Sequence, residues 1–180
     1  MVWLLYFKDL NRKMKKLWIL NLVFWLSFGC QAQEKKDQES KTNMNVKVQK
    51  SEEEWRKQLS DEEFFVLRQA GTERPGTGEY NLHFEDGAYR CAGCNAKLFD
   101  SDAKFESHCG WPSFDNVADN EAIIEREDRS HGMIRTEVLC ANCGGHLGHV
   151  FKDGPTETGL RYCINSAALD FEDQAEEDEK

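Results

Sequence analysis

No apolar run in this chain reaches the roughly 20 residues that a transmembrane helix needs. The longest, Leu17 to Gly29 (LWILNLVFWLSFG), is too short for a comfortable span. Membrane contact is therefore expected only through an N-terminal anchor or a lipid. Positive charge is scarce as well. Lys and Arg number 23 against 33 Asp and Glu, a net charge of −10, and without the first 30 residues the balance is 18 to 32, a net −14. Such a body repels nucleic acid and anionic headgroups at long range, which excludes nucleic acid as a partner. Internal repeats are absent apart from two CxxC pairs. At 180 residues the chain is read as one domain with attachments, long enough to bury an ordinary core without disulfides.

The attachments come first. Lys13, Lys15 and Lys16 precede the apolar run, the arrangement of a signal segment over residues 1–30. Met14 followed by two lysines would itself open such a segment, so residues 1–13 read as an upstream extension. Cys30, after Gly29 and before a hydrophilic stretch, resembles the lipid-attachment cysteine of bacterial lipoproteins; a plain cleaved signal and an uncleaved anchor are the alternatives. All three export the body, to the periplasm or the envelope. Residues 31–50 are polar and charged and read as a disordered linker, and 172–180 as a solvated acidic tail.

Between them, residues 51–171 carry structural signals. Ser51 with Glu54, and Ser60 with Glu63, spell capping boxes for two short helices, the second closed by Gly71, which pack Trp55, Leu59, Phe64, Phe65 and Leu67. From Thr72 short apolar runs alternate with turns. Strands are predicted at 80–84 and 88–90 about the turn Glu85-Asp86-Gly87, at 122–126 paired with 133–139, at 146–151 and at 160–171. The fold class is thus mainly β, of the α+β type, with antiparallel sheet and helices at its N-terminal edge.

Cysteine is what the body has in abundance. Cys91-Ala-Gly-Cys94 and Cys140-Ala-Asn-Cys143 have the spacing at which a tight turn aims two sulfurs at one ion, and two such turns complete a closed tetrahedral zinc site. Two disulfides, or a redox-active CxxC, are the competing readings. Cys109, in SHCGWPSF, and Cys163, in RYCINS, remain as two further thiols, each inside a polar and aromatic motif.

The strings TGEYN, KFESHCGWPSF, GMIRTEV, GGHLGHVFKDG and GLRYCINSAAL, in this order around the two CxxC pairs, resemble the methionine sulfoxide reductases of the B type, which act on the R epimer. The likeness spans residues 51–171. It implies two antiparallel sheets splayed like a tent, a structural zinc held by Cys91, Cys94, Cys140 and Cys143, and catalysis at Cys163. A sulfoxide sulfur becomes a good electrophile only when its oxygen is protonated, so the reaction needs a thiolate and a nearby acid. Cys163 fits the first role, with Arg161 two residues along the strand favouring the thiolate, and His146 and His149 fit the second. The resemblance adds Asn165 as an orienting group, Trp111 as the apolar wall for the substrate methyl with Phe114 beside it, and Asp153 near the histidines. Cys109 predicts resolution of a Cys163 sulfenic acid to a disulfide, reopened by a thioredoxin-like donor. His108 stands where many relatives have glycine, and His83 and His131 are read as serving fold or surface. A zinc-ribbon binding module without chemistry and a general thiol–disulfide oxidoreductase are the other classes. The first leaves RYCINS and HCGWPSF unexplained, and the second acts on disulfides without any sulfoxide.

Overall fold

The structure, a computed structural model, describes residues 46–174. The signal segment, Met14, Cys30, the linker as far as residue 45 and the tail from 175 lie outside the described residues.

Helices α1 (Glu52–Gln58) and α2 (Asp61–Gln69) begin as their sequences dictate. Ser51 and Ser60 each accept the N–H of the residue three positions on, and Glu54 and Glu63 reach back to the cap N–H groups at 2.7 and 2.6 Å. Their shared apolar face buries Trp55, Leu59, Phe64, Val66 and Leu67. Phe65, expected in that set, is instead 46 % exposed, and Val66 takes its place. The close of α2 also differs from expectation. Ala70, not Gly71, adopts the left-handed conformation (φ 56°), and the half-exposed Phe65 ring lies against Gly71, 2.3 Å from where a Cβ would stand.

Among the described residues nine strands follow: β1 (Gly87–Cys91), β2 (Lys97–Asp100), β3 (Lys104–Phe105), β4 (Ser113–Phe114), β5 (Ile123–Asp128), β6 (Arg135–Cys140), β7 (His146–Phe151), β8 (Arg161–Ile164) and β9 (Leu169–Asp173). They form two antiparallel sheets, one ordered β2-β1-β9 and one β3-β4-β8-β7-β6-β5. The mainly β class with two antiparallel sheets is therefore what the chain adopts. Aromatic side chains join the sheets: Phe99 of β2 stacks on Phe114 of β4 at 4.3 Å, and Tyr89 of β1 meets the same ring edge-on at 5.0 Å. Such pairs add about 0.5–1.5 kcal/mol each beyond the area they bury.

Two strand expectations fail, for different reasons. Residues 80–84 form no strand, because both edges of β1 are already taken by β2 and β9. The segment is a strap instead, pinned by Tyr80 N–H to Ser166 Oγ (3.1 Å) and by Lys104 Nζ to Asn81 O (3.1 Å), with Leu82 and Phe84 facing solvent. The run 160–171 is two strands, β8 and β9, one in each sheet, parted by a 3-10 turn at Ser166–Ala168. The buried carboxylate of Glu73 makes that break by accepting the N–H groups of Ser166 (2.7 Å) and Ala167 (2.9 Å). Contacts also reach beyond 51–171 at both ends: Val48 N–H donates to Asn142 O (2.9 Å), and β9 runs to Asp173.

Candidate active site

The two CxxC turns are built alike. In each, the first cysteine's carbonyl accepts the N–H of the residue after the second cysteine, at 2.8 Å for both Asn95 and Gly144, and those two residues carry the positive φ that closes the turn (60° and 70°). The four sulfurs lie within 4.8 Å of one another, with Cys91 to Cys143 at 3.7 Å and Cys94 to Cys140 at 3.6 Å. A tetrahedron of thiolates about 2.3 Å from a zinc ion has sulfurs roughly 3.8 Å apart, so the donor set and its spacing suit such an ion. The helices cover this cluster: Gln58 Nε2 donates to Gly93 O (2.7 Å) and Arg68 to Cys143 O (3.2 Å).

Across the larger sheet, directly opposed residues share a face. One such row reads Ser113, Cys163, His149, Glu137, Arg126, one residue from each of β4, β8, β7, β6 and β5. Chemistry-bearing side chains thus stand side by side although scattered over fifty residues of sequence. His146 joins them by a device that spacing alone does not show. Residues three apart on a regular strand point to opposite faces, but the β6–β7 register shifts at Leu147, so that Val138 opposes Gly148 while Leu139 opposes His146. The two imidazoles therefore stand on one side, 5.6 Å apart. Asn165 secures the bulge, its backbone N–H and its side-chain amide both donating to Leu147 O at 2.9 Å. Gly148 is required for close approach, because a Cβ there would lie 2.1 Å from the Cys163 carbonyl oxygen.

Cys109 reaches Cys163 from the turn before β4. Their sulfurs are 3.5 Å apart, and both are free thiols. His108 takes the left-handed conformation (φ 57°) that the turn demands, and Gly110 O accepts from Gly76 N at 2.7 Å. The two thiols differ in acidity. Burial pushes Cys163 up to about 12, the neighbouring Cys109 adds to this, and Arg161 offsets only part. Burial also raises Cys109, but hydrogen bonds from Ser107 (2.9 Å) and Ser113 (3.5 Å) outweigh it and leave that thiol below its ordinary value. Alkylation of the substrate-free reduced protein by iodoacetamide is therefore expected at Cys109 first. Labelling of Cys163 should climb about tenfold per pH unit from 7 to 10, as the thiolate fraction does below its pKa. Peptide mapping against pH checks both.

The remaining residues singled out from sequence fall into place around this row. Arg161 forms a two-pronged ion pair with Asp153 (2.9 and 2.8 Å) and lies over the Phe151 ring. Asp153 is thus the partner of Arg161, and no contact brings it to the histidines. Trp111 is half-buried, its indole N–H donating to Glu73 O (3.3 Å) and its carbonyl lying beside Cys109. Phe114 corrects the expectation of a substrate-facing ring: next to Ser113 on a strand, it points to the opposite face, and it is fully buried between the sheets. His83 serves the fold, bonded to the Tyr89 hydroxyl at 2.9 Å.

Four groups escaped the sequence reading. Glu137 is buried and bonds His146 Nδ1 at 2.7 Å and Arg126 at 2.7 and 3.0 Å. Burial raises its pKa, but those two partners hold it below the usual carboxylate range. Asp128 bonds His149 Nε2 (2.9 Å), Arg135 (2.6 Å) and Ser130 N–H (2.8 Å), which together outweigh its burial and keep it ionised. Glu73, whose burial pushes its pKa up, ties Asn165 to the 3-10 turn through its backbone and carboxylate. Arg126 completes the Glu137 network. The one available signal was the pairing of predicted strands 122–126 and 133–139, which sets Arg126 and Glu137 near each other on neighbouring strands.

A family model described as SelR domain matches residues 59–173. A protein of Bradyrhizobium diazoefficiens named peptide methionine sulfoxide reductase MsrB is 60 % identical over 136 residues, 76 % of this chain and 97 % of its own. Proteins of the same name from Variovorax paradoxus (56 % over 133 residues; 71 % and 98 %) and Agrobacterium fabrum (56 % over 126 residues; 70 % and 93 %) are similar across the same region.

Proposed function

We propose, from the premise that this chain belongs to the SelR-domain family and is a peptide methionine sulfoxide reductase of the MsrB type, that it reduces the R epimer of methionine sulfoxide at Cys163. The observation that carries the reading is the pairing of Cys163 with Cys109 at 3.5 Å on the row that also holds His149.

The Cys163 thiolate attacks the sulfoxide sulfur while an imidazole protonates the oxygen, forming a sulfur–sulfur bond to the substrate. The hydroxyl then passes to the Cys163 sulfur as the original S–O bond and that S–S bond both break, so that methionine leaves with the electron pair and Cys163 is left as a sulfenic acid. The substrate sulfur is reduced by two electrons and the cysteine oxidised by two. Cys109 then attacks the sulfenic sulfur, forming the disulfide and releasing water. A thioredoxin-like dithiol reopens the disulfide by exchange, becoming a disulfide itself. Because Cys163 is half-buried and little ionised in the free protein, substrate must displace the Cys109 contact and its seat must be dry enough to favour attack. Trp111, whose carbonyl lies beside Cys109 and whose indole is only half-buried, supplies the apolar surface that suits a methyl group. His146 and His149 are the acids, Asn165 holds the strand bulge that brings them together, and Arg161, held by Asp153, partly offsets the cost of the thiolate.

Cys91, Cys94, Cys140 and Cys143 hold a structural zinc ion, whose closed thiolate shell supplies folding energy and no open position for substrate. The signal segment carries the domain (51–171) out of the cytoplasm, anchored by Cys30 or released, and the thioredoxin-like donor is one relayed across the membrane. Supporting this are the Lys-flanked apolar run and the polar linker after it.

Stereochemistry provides the test. Single-turnover reduction by the prereduced protein should give methionine from the R sulfoxide at least about 100-fold faster than from the S sulfoxide, since a misplaced reacting geometry costs about that factor. Equal rates on both epimers would refute the assignment.

A further inference from the structure

We infer that Glu137 is a positioning residue for the reduction: clamped by Arg126, its carboxylate keeps the His146 proton on Nδ1, so that Nε2 is the nitrogen turned toward the substrate oxygen. The inference rests on the reading that the histidines serve the sulfoxide oxygen, and it adds which nitrogen serves and what decides it.

Three observations carry it. Glu137 is 6 % exposed, and a carboxylate is kept in such a place only by strong partners. Its two oxygens are divided: Oε1 faces His146 Nδ1 at 2.7 Å, and Oε2 takes both Nε and Nη2 of Arg126 at 3.0 and 2.7 Å. An ionised carboxylate only accepts, so the hydrogen of that first bond is on Nδ1. Third, His146 Nε2 is buried and has no partner within the protein, the second ring nitrogen thus being left for a ligand. The neighbouring ring is held the other way round, with Asp128 on His149 Nε2 at 2.9 Å and the same carboxylate fixed by Arg135. Two carboxylates on the β5–β6 hairpin therefore impose opposite tautomers on two imidazoles 5.6 Å apart. His146 offers Nε2 and His149 offers Nδ1. A proton can then be delivered from one defined nitrogen, while the carboxylate holds the Nδ1–H and with it the orientation of the ring.

Glu137→Gln inverts the arrangement by a simple constraint. Arg126 has only donors, so the amide must turn its oxygen to Arg126 and its NH₂ to His146 Nδ1, which then has to accept and moves the ring proton to Nε2. The experiment is ¹⁵N NMR of the histidine rings in the reduced, zinc-loaded full-length protein, with single-turnover kinetics on R methionine sulfoxide, for wild type, Glu137→Gln, His146→Gln and His149→Gln. The expected results are an Nδ1–H tautomer in wild type and an Nε2–H tautomer in Glu137→Gln. The turnover constant of that variant should fall about 100-fold, the scale of a general acid's contribution, with half-saturation and zinc content unchanged. Should Glu137→Gln not fold, Glu137→Asp, which keeps the charge beside Arg126 but falls short of His146, takes its place with the same expected loss. An Nε2–H tautomer in wild type would overturn the inference, as would a Glu137 variant with wild-type kinetics while His146→Gln is slow. Wild-type rates in both histidine variants would instead remove the proton-donor reading itself and the inference with it.

Discussion

Replacing Cys163 with serine is expected to abolish methionine formation even in a single turnover, a loss of about a thousandfold or more. Replacing Cys109 with serine should leave the first turnover within a few-fold of wild type but stop the protein after one methionine per chain. The asymmetry follows from the chemistry. In the proposed cycle the Cys163 sulfur must become the acceptor of the oxygen, and a serine hydroxyl neither ionises near working pH nor forms a sulfenic acid. Cys109 is needed only afterwards, and its sulfur already stands 3.5 Å from Cys163. Its lowered pKa makes it a competent attacking thiolate once the sulfenic acid exists. Quenched-flow measurement of methionine, with one and with many equivalents of substrate, separates the two effects. A Cys109→Ser protein that cycles at the wild-type rate with a thioredoxin-like donor would contradict the resolving role.

The second large effect concerns the four knuckle cysteines. Stripping metal with a strong chelator, or substituting the buried Cys140 by serine, should abolish cooperative thermal unfolding. Zinc bound by four thiolates contributes about 10–16 kcal/mol in small folded sites, against a net stability of about 5–15 kcal/mol for a whole domain. The architecture shows why the loss would spread. Cys91 ends β1 of the smaller sheet and Cys140 ends β6 of the larger, so an ion held there would clip the two sheets, and both helices are bonded to the same turns. Differential scanning calorimetry with metal analysis checks this. An unchanged transition in protein carrying no zinc would show that packing alone holds the sheets.

Much of this was legible along the chain because it is local. The capping boxes at Ser51 and Ser60 place both helix starts, the Asp128–Gly132 turn joins two runs that do pair as β5 and β6, and HLGHVF is β7. What was hidden depends on residues distant in sequence. Tyr80 to Phe84 has the composition of a strand, but its expected hairpin partner β1 is already paired on both sides, by β2 and β9. The break between β8 and β9 is made by Glu73, some ninety residues earlier. Strands β3 and β4, two residues each, are too short to leave a periodic trace. The site followed the same division. Cys109, Cys163 and the knuckles declare themselves by residue type, whereas Phe114 looked like a substrate contact until register set it on the core face. Glu137 and Asp128 looked like ordinary strand and turn acids, and only the cross-strand row and the Leu147 bulge bring them onto the imidazoles.

The central claim is that oxygen passes from sulfoxide to Cys163 and that Cys109 closes the cycle. The measurement that bears on it most directly is peptide mapping of the prereduced wild-type protein after one turnover, with methionine and free thiols counted in the same sample. One methionine formed, two thiols lost and a single disulfide joining Cys109 to Cys163, with zinc retained, is the expected result. Methionine formed with Cys109 and Cys163 still reduced, or with a knuckle cysteine in the disulfide, would contradict the account.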